Sequence, residues 1–185
     1  PLDEVCRERQ LDPSAILQLI EAEDPLESDQ PRWDEAPLPA RVEHIVGTYH
    51  QRLREQLPDL LRMARRVEVR HGDKPSCPRG LAALLESMQT DVFDHLRKEE
   101  QILFPLIVAG MGARAAAPVH VMEVEHEQHR ENLLALRRLT DDLPPPAEAC
   151  TTWRALYLGL QQLELELMEH IHLENNGLFR RALVA

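Results

Sequence analysis

The sequence predicts an all-α protein, and three features support that prediction. The 185 residues include only 7 glycines and only 4% aromatic residues. Long stretches rich in leucine, alanine, glutamate and arginine lack the alternation of β-branched residues that indicates a strand. Apolar residues instead recur at steps of three and four, which place them on one face of a helix. The predicted architecture is an up-down-up-down four-helix bundle preceded by a short helix.

The predicted elements fall into three parts. Asp12 and Pro13 are a typical N-cap and first helical position, so residues 14–23 are predicted to form a short helix. Residues 1–23 are too short to fold alone and are expected to be the C-terminal part of a small N-terminal helical domain. Residues 24–39 contain four prolines among charged residues and are predicted to be a linker. Residues 40–185 form the predicted bundle, whose helices are separated near residues 72–78, 110–118 and 144–146.

Composition excludes several classes of protein. The formal net charge of −11 argues against binding to nucleic acid or to an anionic membrane surface. There is no run of about 18 apolar residues, as a transmembrane helix requires, and the first ten residues carry acids where a signal peptide would be apolar. Cys6, Cys77 and Cys150 have no metal-binding spacing, so reduced thiols and a cytoplasmic location are expected.

Each predicted bundle helix carries polar residues within its inward apolar stripe. In the second helix, for example, the spacing runs unbroken from Leu81 through Ile102 to Leu106. Antiparallel packing would bring the polar positions together at one end of the bundle, with leucine, methionine and tryptophan at the other end. The polar positions are His50 in the first helix, His95 and Glu99 in the second, His126 and His129 in the third, and His170 and Glu174 in the fourth.

The two glutamates decide how these positions are interpreted. A lone histidine on an apolar face is usually a packed core residue, but an uncompensated buried carboxylate costs several kcal/mol. A buried salt-bridge cluster would need lysine or arginine, and the inward faces carry neither at that height. Because residues four apart share a helical face, each His-x-x-x-Glu pair can direct two ligands to one metal centre. A metal cation is therefore predicted.

The donor set limits the choice of metal. Four imidazoles and two carboxylates without a thiolate are too many ligands for one tetrahedral zinc, and they suit two first-row ions bridged by carboxylates. Iron fits best, and manganese is the second candidate. In this arrangement Glu99 and Glu174 bridge, His50 joins one His-x-x-x-Glu pair, and His126 joins the other. The spacing does not determine which histidine joins which pair.

The sequence also resembles the hemerythrin-like di-iron proteins of the repair of iron centres (RIC) family. The resemblance covers nearly all of residues 40–183 and is carried by five motifs: YHQRLREQLPDL at 49–60, HLRKEEQILFPLI at 95–107, VMEVEHEQH at 121–129, EACTTW at 148–153 and HIHLENNGLF at 170–179. It implies that the iron ligands are His50, His95, Glu99, His126, His170 and Glu174, the residues that the stripes also select, apart from His129.

The resemblance further implies what the protein does. Family members are cytoplasmic, contain an oxo-bridged centre of two iron ions, and repair iron-sulfur clusters and other iron centres damaged by oxidative or nitrosative stress. Iron donation and reaction with nitric oxide are both part of that expectation. The implied partners are damaged iron-sulfur proteins, with nitric oxide or dioxygen as small ligands and a second copy of the chain as a candidate for a homodimer.

The sequence departs from the family in its first residues. Members usually open with a small ScdA-type domain that bears a Cys-Cys-Gly-Gly motif, and PLDEVCRERQLDP resembles the segment that follows that motif. Cys6 is therefore not expected to be equivalent to either cysteine of the pair.

Six further residues have expected roles outside the ligand set. Packing or a hydrogen bond is favoured for His129 over metal contact, and a surface role is favoured for Glu125 over contact with a ligand or a place on an iron exit path. His44 is expected at most to line an approach to the site. Solvent exposure is expected for His71, His120 and His172.

Two other functions compete with repair. A hemerythrin-type oxygen or nitric oxide carrier or sensor uses a His-x-x-x-His pair in the third helix and an aspartate in the fourth, whereas Arg130 follows His126 here and the fourth helix has Glu174. Oxidative enzymes of the ferritin kind are richer in carboxylates and use Glu-x-x-His pairs, which are missing here. Repair is the favoured function, and no residue is predicted to be catalytic.

Overall fold

The computed structural model describes Asp12, residues 14–15, Trp33 and residues 36–184. The described residues are helical with no strand, which confirms the all-α prediction. The helices are α1 (Leu38–Ile45), α2 (Gln51–His71), α3 (Leu81–Lys98), α4 (Phe104–Val108), α5 (Gly112–Leu139), α6 (Thr151–His172) and α7 (Phe179–Val184). Three π-helical segments join them at Val46–His50, Glu99–Leu103 and Leu173–Leu178.

These elements form four long bundle helices. The first contains α1 and α2, the second α3 and α4, the third α5 alone, and the fourth α6 and α7. A π segment lies between the two α-helices of the first, second and fourth bundle helices. Contacts between neighbours show that the first two run antiparallel, since His50 pairs with Glu100 while Arg65 pairs with Glu86. The up-down-up-down bundle is therefore confirmed. None of the described helices is both long enough and apolar enough to cross a membrane.

The helix boundaries differ from the predicted ones in two places. Pro39 is helical, and α1 begins at Leu38, one residue before the predicted end of the linker. The predicted break at residues 110–118 is too long, because α5 begins at Gly112 and contains Pro118. Pro118 lies in the second turn of α5, where it cannot donate to the carbonyl of Arg114 and its ring crowds that carbonyl, so the rest of the helix maintains the turn. At the start of α3, Gly80 has a φ of 91°, which glycine adopts without steric cost.

The N-terminal predictions fall mostly outside the described residues. Asp12 Oδ1 accepts a hydrogen bond from the backbone N–H of Ser14 at 2.9 Å, which is the contact of a capping residue. Residues 14–15 are helical. The rest of the predicted short helix, most of the linker and Cys6 lie outside the part that is described.

The polar positions lie between two hydrophobic clusters, so their predicted place at one end of the bundle is wrong. The larger cluster is formed by leucines with Met88, Trp153 and Tyr157. The smaller cluster covers the other side of the polar positions. Its buried members are Ile45, Leu103, Phe104, Ile107, Ala115, Val119, Met122, Leu178, Phe179 and Ala182.

The π segment in the second helix overturns part of the predicted stripe. A π turn contains one residue more than an α turn, so the residues after it rotate to a different face. Leu103 and Ile107 are consequently buried, whereas Ile102 is 54% exposed and Leu106 is only partly buried. The residues that continue the core are thus one position later than the spacing predicts.

The start of α5 packs tightly against α7, which leads to a stability prediction. A Cβ atom added to Gly112 would lie 2.3 Å from the carbonyl oxygen of Ala182. Because backbone would have to shift, we expect Gly112→Ala to lower the free energy of unfolding by about 1–3 kcal/mol. Chemical denaturation followed by circular dichroism measures the change.

Gly47 offers the matched control, because a Cβ atom there meets nothing within 4 Å. Removing a glycine from an open helical position is expected to raise stability by about 0.5–1 kcal/mol in Gly47→Ala. A Gly112→Ala protein as stable as the unsubstituted chain would contradict the tight packing of α5 on α7.

Candidate metal centre

The structure brings the six predicted ligands together in the bundle core. Every one is buried, and the two glutamates are fully inaccessible to solvent. Their ligand atoms form two groups in which all atoms lie within 4.8 Å of one another. One group is His50, Glu99, His170 and Glu174, and the other is His95, Glu99, His126 and Glu174.

This grouping resolves the pairing that the spacing leaves open. His50 lies with His170, and the two Nε2 atoms are 3.2 Å apart. His126 lies with His95, and their Nε2 atoms are 3.1 Å apart. The first helix therefore faces the fourth, and the third faces the second, as neighbours in an antiparallel bundle do.

Each glutamate lies between the two histidine groups. Glu99 has one carboxylate oxygen 3.4 Å from His50 Nε2 and the other 3.4 Å from His95 Nε2. Glu174 likewise has one oxygen 3.0 Å from His170 Nε2 and the other 3.2 Å from His126 Nε2. A carboxylate that directs one oxygen to each of two groups has the geometry of a bridging ligand.

Three of the four imidazoles are oriented by a hydrogen bond at the opposite ring nitrogen. The Nδ1–H of His50 donates to Glu100 Oε1 at 2.7 Å, and that of His95 donates to Glu125 Oε2 at 2.9 Å. His126 Nδ1 lies 2.9 Å from Asn175 Oδ1. These hydrogen bonds at Nδ1 turn Nε2 of each ring into the site, where it can hold a proton or bind a metal ion.

The electrostatics of the site favour positive charge beside the two glutamates. Burial alone would lower the pKa of His95, but the Glu99 carboxylate and hydrogen bonds to Glu125 and Glu99 raise it to about 10. Burial and the neighbouring Glu174 charge would raise the pKa of Glu99, yet the adjacent imidazoles lower it. Both glutamates are therefore held as carboxylates, and the surrounding groups stabilise positive charge.

The donor set fits a pair of metal ions. Both oxygens of Glu99 and both oxygens of Glu174 are buried and accept no hydrogen bond from the described residues. Leaving two buried carboxylates without donors is costly, and a bound cation removes that cost. Each pair of facing Nε2 atoms offers two nitrogen ligands to an ion, which would replace a proton held between them. Nitrogen and carboxylate donors without sulfur suit iron or manganese.

Glu125 is not the simple surface carboxylate that the sequence favours. It accepts a hydrogen bond from His95 and is also paired with Lys98. The His95 hydrogen bond, with smaller help from Lys98, lowers the pKa of Glu125 to about 2. Glu125 therefore stays charged and fixes the His95 ring.

This role of Glu125 gives a testable expectation. Residues that orient metal-binding histidines contribute about 10–100-fold to metal affinity. We expect Glu125→Leu to weaken iron binding by about that factor while leaving the helical content unchanged, as measured by anaerobic competition with a ferrous chelator. Glu123→Gln, at an exposed position of the same helix, is the matched control. Equal affinity in Glu125→Leu and the control would show that the Glu125 contact does not support the site.

His129 lies beside the six residues but belongs to neither group. It is 3% exposed, neither ring nitrogen has a hydrogen-bond partner among the described residues, and its ring is 4.9 Å from that of His95, edge to face. Burial, followed by repulsion from the imidazoles of His95 and His126, lowers its pKa to about 3. His129 therefore packs as a neutral ring; the hydrogen bond considered in the sequence is not found in the described part of the chain.

The remaining candidates lie away from the six residues. His44 is half-buried beside Tyr49, and His120 and His172 are exposed as expected. His71 is half-buried rather than exposed, because its ring lies 5.1 Å from that of Trp153 and its Nε2 is 3.3 Å from Cys150 Sγ. Cys77 and Cys150 are free thiols.

Sequence reasoning missed three buried or half-buried residues, of which Glu100 and Asn175 contact histidines of the site. Glu100 and Asn175 directly follow Glu99 and Glu174 and lie in π segments. The spacing of an α-helix therefore does not predict which way their side chains point. Arg41 is fully buried beside Gly177, where a Cβ atom would overlap the guanidinium group, and it donates to the Trp33 carbonyl. The glycine in NNGLF is the only sequence signal for this close approach.

Comparison with known proteins finds a family and several relatives that the sequence matches. The hemerythrin HHE cation-binding domain matches residues 41–182. The iron-sulfur cluster repair protein YtfE of Musicola paradisiaca is 50% identical over 185 residues, which cover 98% of this chain and 82% of that protein. YtfE of Yersinia pseudotuberculosis serotype O:1b is 52% identical over 151 residues, which cover 82% of this chain and 68% of that protein. YtfE of Yersinia pestis strain Pestoides F is also 52% identical over 151 residues.

Proposed function

This chain belongs to the hemerythrin HHE cation-binding family and, within it, to the YtfE iron-sulfur cluster repair proteins, and we propose that it repairs iron-sulfur clusters damaged by oxidative or nitrosative stress. The observation that carries this proposal is the buried site of four imidazoles and two carboxylates between the hydrophobic clusters. Such a site holds a reserve of metal inside the protein and away from bulk water. The partners are damaged iron-sulfur proteins.

The metal that fits the proposal is a pair of iron ions. His50 and His170 would hold one ion, His95 and His126 would hold the other, and Glu99 and Glu174 would bridge them. Bound iron supplies ferrous ions for delivery and a binding position for nitric oxide. The residues of the chain orient the imidazoles, exclude bulk water and keep both carboxylates charged, which together support reversible occupancy by a divalent ion.

A polar cleft supports exchange of metal with solvent. It has a volume of 330 Å³ and lies between α3 and α5 next to the second histidine group. Glu125 lines the cleft and also contacts His95, so a carboxylate extends from the cleft to a proposed ligand. The cleft is lined by Asp91, Asp94, Lys98, Glu125, Gln128 and His129.

The position after His126 disfavours a carrier of the hemerythrin type. In the His-x-x-x-His pattern of such carriers the second histidine would stand where Arg130 stands here. Arg130 is exposed and pairs with Glu127 on the surface. The third helix therefore supplies one imidazole, His126, to the second group and none to the first. The site has fewer nitrogen donors than that of an oxygen carrier.

Metal content and repair are measured on the same preparation. Protein loaded anaerobically with ferrous iron is expected to contain two irons per chain by elemental analysis, and its optical spectrum is expected to change when the reduced form meets nitric oxide. Loaded protein is then added to an iron-sulfur enzyme inactivated by nitric oxide, and recovery of that enzyme's activity is expected. Glu174→Leu protein given the same iron and then desalted is the control. One zinc per chain with no recovery would contradict the proposal.

Two further parts of the proposal concern the setting. The free thiols Cys77 and Cys150 support a reducing compartment, and we place the protein in the cytoplasm. A second copy of the chain is proposed as a partner in a homodimer, for which sedimentation velocity is the direct measurement.

A further inference from the structure

A row of four aromatic rings leads from the half-buried Trp33 to His170. The indole of Trp33 stacks on the imidazole of His44 with ring centroids 3.7 Å apart and an interplanar angle of 9°. His44 meets Tyr49 edge to face at 5.7 Å, and Tyr49 stacks on His170 at 5.6 Å with an angle of 9°. These four rings, called the aromatic row below, connect the surface with a proposed metal ligand.

Polar contacts hold the inner members of the aromatic row in place. Thr48 Oγ1 lies 3.2 Å from His44 Nδ1 and fixes the plane of that ring. The hydroxyl of buried Tyr49 donates to Glu169 Oε2 at 3.5 Å. The phenol therefore has a carboxylate within reach that can take its proton, while its ring contacts His170.

Tyrosine and tryptophan are the side chains that most readily lose one electron, and the chain has only two of each. One tyrosine and one tryptophan lie in the aromatic row. The other two, Tyr157 and Trp153, contact each other in the larger hydrophobic cluster, with ring centroids 6.4 Å apart. This distribution supplies a matched control for each oxidisable member of the row.

We propose that the aromatic row carries oxidising equivalents from the metal centre to the surface, with Tyr49 as its first electron donor. The proposal rests on the proposed function, because it needs iron at the six residues. It gives the protein a second activity, which is to protect its own ligands when the centre meets hydrogen peroxide. Without an outlet, the oxidising equivalent would attack the imidazoles that surround it.

The electrons and protons balance as follows. Reduction of one hydrogen peroxide to two waters consumes two electrons and two protons from solvent. A ferrous ion held by the six residues would supply one electron and become ferric, and Tyr49 supplies the other. The O–H bond of Tyr49 breaks as its proton passes to Glu169, which leaves a neutral tyrosyl radical.

The radical then moves outward. Trp33 gives one electron across His44 to the Tyr49 radical and releases its indole proton to solvent, while Glu169 returns the proton to the phenolic oxygen. A small thiol in solution reduces the Trp33 radical, since its S–H bond supplies the electron and proton and becomes a thiyl radical. The row is then restored, and the second ferrous ion would supply the electron needed to reduce one more peroxide.

The first experiment uses the iron-loaded ferrous protein. Samples are mixed with hydrogen peroxide, freeze-quenched and examined by electron paramagnetic resonance. We expect a tyrosyl radical in the unsubstituted protein and loss of that signal in Tyr49→Phe. In Trp33→Phe the tyrosyl radical is expected to live several-fold longer, because Trp33 can no longer reduce it. Tyr157→Phe and Trp153→Phe are expected to match the unsubstituted protein. A tyrosyl radical that survives in Tyr49→Phe, or is lost in Tyr157→Phe, would overturn the proposal.

The second experiment needs no metal and separates the aromatic row from the proposed function. The metal-free full chain is oxidised by photogenerated tris(bipyridine)ruthenium(III), and radicals are followed by transient absorption. We expect oxidation of Trp33 and partial transfer of the radical to Tyr49, because exchange along the row is reversible when no thiol is present to reduce Trp33, and both Trp33→Phe and Tyr49→Phe should lose the tyrosyl signal. A tyrosyl signal of equal size in Trp33→Phe would contradict radical transfer between Trp33 and Tyr49 along the aromatic row. Failure of the chain to take up iron would instead overturn the proposed function and the row's role in protecting a metal centre.

Discussion

Replacing Glu99 by leucine is expected to abolish iron binding while the bundle stays folded, and Glu174→Leu is expected to do the same. Each carboxylate lies between both histidine groups, so its loss removes a ligand from both ions at once. Removing one partner of a buried ion pair costs about 3–5 kcal/mol, but loss of the repulsion between Glu99 and Glu174 offsets part of that cost, so the metal-free variants should stay folded with a lower free energy of unfolding than the metal-free unsubstituted chain. Elemental analysis and urea denaturation measure the two effects.

Glu131→Leu is the control for these substitutions, because Glu131 is exposed on α5 and belongs to neither group. This variant should bind iron as the unsubstituted chain does. Full iron occupancy in Glu99→Leu or Glu174→Leu would contradict the bridging role. A loss of helical content in both variants would show that the carboxylates serve the fold rather than a metal.

Ferrous iron is expected to raise the free energy of unfolding of the metal-free protein substantially. The two buried carboxylates repel each other, and the charge of Glu174 acts against ionisation of Glu99. A ligand that binds only the folded state stabilises it by about 2.7 kcal/mol when its free concentration is about 100 times Kd. Two ions would add their contributions. Urea denaturation under anaerobic conditions, with and without iron, measures the difference.

The double variant with leucine at positions 99 and 174 is the control for this effect. Its stability should not respond to iron, because the ligands common to both ions are gone. Equal stabilisation of the double variant would mean that iron acts at another place on the chain. A metal-free protein whose stability is unaffected by iron would contradict a metal site at these residues.

The positions of the six proposed ligands could be predicted because helical periodicity is a local property. A histidine or glutamate that replaces leucine within a regular stripe must point into the core, whatever the rest of the bundle does. Antiparallel packing predicted that these positions meet at one level, but not that this level lies between two hydrophobic clusters. The same reasoning reached His129, whose burial is confirmed, although its ring belongs to neither group.

The partners of those ligands could not be predicted, because they depend on how one helix faces another. Glu100, Glu125 and Asn175 each contact a histidine from a different bundle helix. On the sequence pattern they look like ordinary surface residues beside a stripe. The aromatic row is equally hidden, since Trp33, Tyr49 and His170 are far apart in the chain.

By itself the sequence determined the all-α fold, the up-down-up-down order of the helices and a set of inward polar residues, because these depend on spacing, composition and short connections. Only the tertiary structure decided which histidines pair, where the core continues after Glu99 and what covers the site. The reason is physical. A π turn adds one residue without leaving a mark in the helical spacing, and contacts between helices depend on rotations that local periodicity does not encode.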